Sequence, residues 1–235
     1  MISRNQIRYI VKTLRTMPRV SITMSGDGKS KAAFKYFTTR HPKCPIFARK
    51  ELGVALIRIP DDITDYESGR KMQAFRTNRN RATKAGYVFQ LVKPLYYIDD
   101  IMDVNSSMQV RQERSMSESY MDRRQVEMSW QDVETIPAVL DATGVLVAYA
   151  DISFCGEVAV ISRILGHGEY LDNGIMYLLV DGIMRLVIER KSKYGQPEWL
   201  MYDTLLGAKE GLRYFKERLG FQPYRVKWLW KETPD

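Results

Sequence analysis

The sequence predicts one mixed α/β domain, and three observations carry the prediction. Between Thr135 and Ile164, three strand-like stretches are separated by turn residues at Asp141–Gly144 and Cys155–Gly156, the pattern of an antiparallel meander. Residues 174–192 then carry an apolar stripe at helical spacing. Beyond it, Trp199–Tyr202 reads as a strand, Ala208–Arg218 as a helix and Phe221–Trp230 as a terminal strand. Strands followed by helix–strand–helix–strand around one core give a mixed α/β layout.

Taken in order, residues 2–17 are amphipathic, with Ile7, Ile10, Val11 and Leu14 on one face and Arg8, Lys12 and Arg15 on the other. Pro18 stops that helix, and Val20–Met24 follows as a strand. Ser25-Gly-Asp-Gly-Lys-Ser30 has the tail of a phosphate-binding loop. That pattern needs a glycine five positions before Gly28, where Thr23 stands, so the segment reads as a polar turn. Val54–Ile59 is a strand closed by Pro60-Asp-Asp. Residues 68–85 are helical and basic. Met72, Phe75 and Ala82 lie near one face, while Arg76, Arg79, Arg81 and Lys84 occupy the rest with no acid in the segment to balance them, an exposed cationic surface. Gly86 ends the helix, Tyr87–Val92 is a strand ending before Pro94, and two helices follow near 97–104 and 117–128. The meander strands are 135–140, 144–153 and 157–164. Asp172-Asn173-Gly174 introduces the long helix, whose buried stripe is Ile175, Leu178, Leu179, Ile183, Leu186 and Val187.

Composition narrows the function classes. The 235 residues are 45% hydrophobic and 27% charged, ordinary for a globular protein. No apolar run approaches the roughly 20 residues of a membrane-spanning helix, and the N-terminus lacks the apolar segment of a signal peptide. Cys44 and Cys155 cannot build a disulfide framework, so a reducing cytoplasm is the expected location. His41 and His167 have no Cys or His neighbour at ligand spacing, and no metal site is expected. The charge is uneven: residues 1–93 hold 20 basic and 6 acidic residues, whereas 94–235 hold 16 and 22. That split divides the chain into a basic N-terminal region, 1–93, within the same compact unit as a core at 94–235. It points to a polyanionic partner: nucleic acid, nucleotide phosphates or an acidic carrier protein.

The order of elements in 133–230 resembles the GNAT acyltransferase superfamily. In its acetyl-CoA-dependent members a tyrosine commonly precedes the Gly-Phe pair by four residues; here Lys216 stands before Gly220-Phe221. Phe215-Lys216 followed by Leu219-Gly220 resembles instead the signature of the FemABX-like branch, whose members transfer amino acids from aminoacyl-tRNA. The stretch Ile164–Gly174 contains glycines but does not fit the CoA pyrophosphate cradle. Arg76–Gly86 resembles the basic segment ending in Lys-Ala-Gly of that branch. FemABX-like proteins usually carry two GNAT-like halves, and this chain has length for one.

The resemblance implies a single GNAT-like domain with a basic α/β N-terminal extension. It also implies direct, amide-forming transfer of an aminoacyl group to a small amine or peptide acceptor. Lys216 is then the cation that stabilises the oxyanion. His167, between two glycines, is the candidate base, and Asp203 lies at the C-terminal end of a buried strand, where α/β sites gather. Arg76, Arg79, Arg81 and Lys84 would hold the donor's phosphates. Tyr170 and Asp172 would line the donor site, although Asp172 or Asn173 serves equally well as a helix cap. Glu113 or Glu118 would hold the acceptor's ammonium. No resident cofactor is expected. Two other readings stay open: the same fold using acyl-CoA or acyl carrier protein as co-substrate, and a non-catalytic RNA-binding module.

Overall fold

The computed structural model describes residues 4–42, 44–108, 110–111 and 114–232. Helix α1 (Arg4–Thr16) leads to strand β1 (Arg19–Met24) and helix α2 (Gly28–Thr38). Strands β2 (Arg40–His41) and β3 (Cys44–Ala48) form a small ribbon, followed by β4 (Val54–Arg58), α3 (Ile63–Glu67), α4 (Gln73–Lys84) and β5 (Val88–Val92). Next come α5 (Ile98–Ser106), the ladder of β6 (Val110–Arg111) and β7 (Arg114–Ser115), α6 (Glu118–Met121) and α7 (Arg123–Trp130). The meander is β8 (Ile136–Leu140), β9 (Leu146–Cys155) and β10 (Val158–Gly166). After it stand a 3-10 helix (Gly168–Asn173), α8 (Ile175–Tyr194), β11 (Trp199–Thr204), α9 (Glu210–Arg218) and β12 (Gln222–Trp230).

The chain forms two compact units. The first takes residues through Asp61, Ser153–Ile161 and Glu189 onward; the second takes Asp62–Ile152 and Ser162–Ile188. In the first unit the strands run β1-β12-β4-β11-β10. Strand β1 is parallel to β12, from Arg19↔Arg225 to Met24↔Trp230, and β4 is antiparallel to both β12 and β11. Residues Val54–Ile57 are all buried although strand side chains alternate between the two faces, so both faces of β4 are covered, and its sequence is accordingly a continuous apolar run. Phe37 of α2 meets Trp228 at a ring separation of 5.0 Å and closes this core over Ile22, Met24, Leu56 and Val226. The Gly-Asp-Gly-Lys-Ser segment is the start of α2: the Asp27 carboxylate accepts the Ser30 N–H at 2.9 Å, an N-cap as the polar-turn reading allows.

In the second unit the order is β10-β9-β8-β5, with β5, β8 and β9 antiparallel. Val92, Ile101, Val126, Trp130, Ile136, Leu146 and Tyr149 form its core. The predicted helix over 117–128 is two helices, because Asp122 accepts the Gln125 N–H at 3.0 Å and caps a new start. Helix α8 follows the predicted stripe except at Leu186, which is only half-buried. A Cβ at Gly182 would lie 2.1 Å from the Phe89 ring, so the close approach of α8 to β5 depends on the missing side chain. Gly174 takes φ +83 just before α8, where a Cβ would meet the Asn78 carbonyl at 2.2 Å. Among the described residues, no helix is long and apolar enough to cross a membrane.

Candidate active site

The candidate residues of the first unit gather where β11 ends. The register of β11 with β4 shifts between Met201 and Thr204, and Asp203 takes φ +53, in the left-handed region that non-glycine residues seldom enter. On either side of that residue, the carbonyls of Tyr202 and Thr204 accept hydrogen bonds from Lys216 Nζ of α9, at 2.8 and 3.1 Å. Lys216 is 0% exposed, and its ammonium lies 4.1 Å from the centre of the Tyr202 ring. Burial pushes the Lys216 pKa down to about 8. The Asp203 carboxylate pulls it back up and the Lys50 ammonium pushes it lower. Lys50 forms an ion pair with Asp203. The backbone of Lys50 is fixed by its N–H donating to Phe37 O at 3.1 Å. Asp203 thus faces one lysine through its side chain, while its flanking carbonyls hold another.

The structure brings Lys216 and Asp203, both catalytic candidates from the sequence, into one cluster. Lys216 is enclosed, with two of its three N–H groups on carbonyls. Asp203 pairs with Lys50, which sequence reasoning missed. No local signal marks Lys50, since its partner is 153 positions away and the pair forms only through the fold.

His167 lies in the second unit, with its side chain 15% exposed. Its Nδ1 accepts the Glu169 N–H at 3.3 Å, capping the 3-10 helix, and its Nε2 stands 3.3 Å from Asp103 Oδ2. Those partners assign the neutral ring its proton on Nε2. The His167 backbone N–H donates to Val147 O at 2.8 Å, and its ring lies 4.9 Å from that of Tyr170, so this segment is an ordered cap. Tyr170 and Asp172 follow in the same 3-10 helix, where Arg81 Nη1 donates to the Asp172 carbonyl at 2.9 Å. The neighbouring Glu169 raises the Tyr170 pKa. Asn173 Nδ2 donates to Tyr87 Oη at 3.0 Å, so its side chain is committed there.

The unbalanced cationic face expected on α4 is corrected. Arg79 places its two terminal nitrogens on the two oxygens of Glu67, each at 2.9 Å, and one of them also on Asp181 Oδ1 at 3.0 Å. Arg185 joins the same acids, at 2.9 Å to Asp181 and 3.1 Å to Glu67. The acids come from α3 and α8, outside the segment whose composition suggested imbalance. Arg76 donates to the carbonyls of Glu67 and Gly69 and is half-buried. Arg81 and Lys84 are exposed, as predicted. Glu118 is exposed at the start of α6, and Glu113 lies outside the described residues.

No family model matches the chain, and no curated protein matches its sequence. Among solved structures it is similar to L-PGS from Bacillus licheniformis, at 18% identity and a TM-score of 0.50, covering 74% of this chain and 58% of that one. It is similar to FemX at 11% identity and a TM-score of 0.50, covering 73% and 59%. A tandem GNAT protein from the clavulanic acid biosynthesis pathway is 13% identical, with a TM-score of 0.47 and coverage of 89% and 59%. The chain thus spans under two thirds of the length of each. The likenesses to L-PGS and FemX establish the fold: this is the mixed α/β architecture of those proteins, as the FemABX-like motifs led one to expect.

Proposed function

We propose that the protein is an amide-forming N-acyltransferase whose donor is an aminoacyl-tRNA. The observation that carries this reading is the enclosed ammonium of Lys216, set in the Phe-Lys-x-x-Leu-Gly motif and held on the Tyr202 and Thr204 carbonyls. In such a transfer the acceptor amine attacks the ester carbonyl carbon and a C–N bond forms. Negative charge collects on the carbonyl oxygen until the C–O bond to the ribose breaks, and the proton lost by the amine passes to the ribose oxygen. A cation fixed before the reaction and screened from water stabilises that charge far better than a solvated one. Two carbonyls fix the Lys216 ammonium, and its third N–H is the one offered to the acyl oxygen. Asp203 and Lys50 are positioning residues, since they bear on the charge of Lys216 through the β11 bulge. His167 serves as candidate base only by releasing the Glu169 N–H from its Nδ1, while Arg81 and Lys84 are the exposed cations that would contact donor phosphates.

Binding of deacylated tRNA across a salt series tests the choice of donor. The wild type should bind at low salt, with log K falling against log salt by about 0.7–0.9 for each phosphate contact. The variant Arg81→Glu/Lys84→Glu should bind more weakly and with a flatter slope. Absence of tRNA binding at low salt would overturn the tRNA donor and leave acyl-CoA or acyl carrier protein in its place. Tight binding with an unchanged slope in the variant would move the nucleic-acid surface away from α4.

A further inference from the structure

A second cation of the fold is neither enclosed by carbonyls nor matched by an acid. Arg163, on β10 in the second unit, is half-buried, with its guanidinium carbon 4.8 Å from the centre of the Tyr120 ring and 4.8 Å from that of Trp130. Beneath these rings lies a rigid polar floor. Tyr149 Oη donates to Asn105 Oδ1 at 2.6 Å, and Asn105 Nδ2 donates to the Tyr120 carbonyl at 2.9 Å. Tyr149 and Asn105 are each 0% exposed. The Tyr149 pKa is pushed up to about 12 by burial, with the Arg163 guanidinium opposing the rise through its charge and a hydrogen bond.

Three other arginines of this unit have carboxylate partners: Arg79 with Glu67 and Asp181, Arg123 with Asp99 and Glu127, and Arg185 with Glu67 and Asp181. Among the described residues, no carboxylate lies within ion-pair distance of Arg163. A partly desolvated cation without a counter-charge is costly, and ring contacts offset only a part of that cost. A second unmet need lies in the same cluster: Trp130 Nε1, in the ring beside Arg163, is buried and donates to no acceptor. The guanidinium, engaged by the Tyr149 hydroxyl but by no carboxylate, and the indole N–H, which has no acceptor, await the same chemistry.

We infer that Arg163, with Tyr120 and Trp130, forms a binding site for a carboxylate. Resting on the transferase reading above, that carboxylate belongs to the acceptor, which is then an amino acid or peptide rather than a simple amine. A guanidinium held over aromatic rings keeps its in-plane N–H fork for a coplanar pair of oxygens, the geometry of a carboxylate. A phosphate dianion calls for more positive charge than this one guanidinium carries.

The test follows the Trp130 indole N–H and the Arg163 Nε–H by nuclear magnetic resonance while N-acetylglycine is titrated into the whole protein. N-acetylglycinamide, which is neutral, and inorganic phosphate serve as parallel titrants. Saturable shifts at both groups with N-acetylglycine, and none with the amide, are expected. Arg163→Gln should abolish them, and Arg163→Lys, which keeps charge but not the fork, should weaken binding by roughly tenfold or more. Equal response to the neutral amide, preference for phosphate, no saturable response to any titrant, or shifts that persist in Arg163→Gln would each overturn the inference. The readout needs no catalysis. Carboxylate binding without amide formation would therefore count against the transferase reading alone, and transfer without carboxylate binding against this site alone.

Discussion

At the scale of single residues, the buried ammonium of Lys216 has two separable consequences. The first is kinetic. If its charge acts mainly in the transition state, Lys216→Met should lower kcat by about 10²–10³ with little change in donor KM. A loss confined to KM would make it a binding residue. The second is thermodynamic and holds whatever the reaction. Lysine titrates at 10.5 when solvated and at about 8 here, because burial disfavours the charged form. Between those two values the unfolded chain carries a proton that the folded one has lost. Stability contributed by this group therefore rises with pH through that window, and the burial cost is fully present below it. Compared by urea unfolding at pH 7.5 and 10, the wild type should gain about 2 kcal/mol more than Lys216→Met. Equal responses would contradict an enclosed cation. For His167, the ring caps a 3-10 helix through Nδ1, a task that asparagine also performs. His167→Asn keeps the cap and removes the imidazole. A loss of kcat by about 10²–10⁴ in that variant identifies the base; an unaltered kcat leaves His167 a structural cap.

At the scale of elements, what the sequence made legible was local. The meander, α8, β11 and β12 stand within about two residues of their predicted bounds, because period-2 and period-3.6 patterns are properties of adjacent residues. What it left unreadable was long-range. Strand β4 was predicted, but its place between β11 and β12 depends on partners more than 140 residues away. Helix α2 was missed although Asp27 caps it and Ala33, Phe34 and Phe37 share its buried side, since the glycine-rich start drew attention to a loop. The cationic face of α4 was misread for the same reason: Glu67 and Asp181 reach Arg79 only in the fold. At the candidate site, Lys216 and Asp203 were legible from motif and strand end, while Lys50 and Arg163 were not. Arg79 offers a check on that distinction. Arg79→Met should cost about 2–4 kcal/mol in urea unfolding, because Asp181, 7% exposed, would keep only the half-exposed Arg185. The salt slope of tRNA binding should not change. Unaltered stability with weakened tRNA binding would return Arg79 to the exposed surface.

At the scale of the whole molecule, the charge is divided unevenly along the chain. The basic bias of residues 1–93, net +14 against −6 for the remainder, favours a polyanionic donor. The chain shares its fold with FemX and L-PGS, covering 59% and 58% of those structures. The most direct measurement incubates the protein and an amino-acid or peptide acceptor with a panel of charged tRNAs and acyl-CoAs, reading donor deacylation and amide product by mass spectrometry. Deacylation of one or more aminoacyl-tRNAs matched by amide product, with every acyl-CoA intact, is expected. CoA release with all tRNAs still charged would contradict the aminoacyl-tRNA donor, and absence of amide product from every donor would contradict catalysis itself.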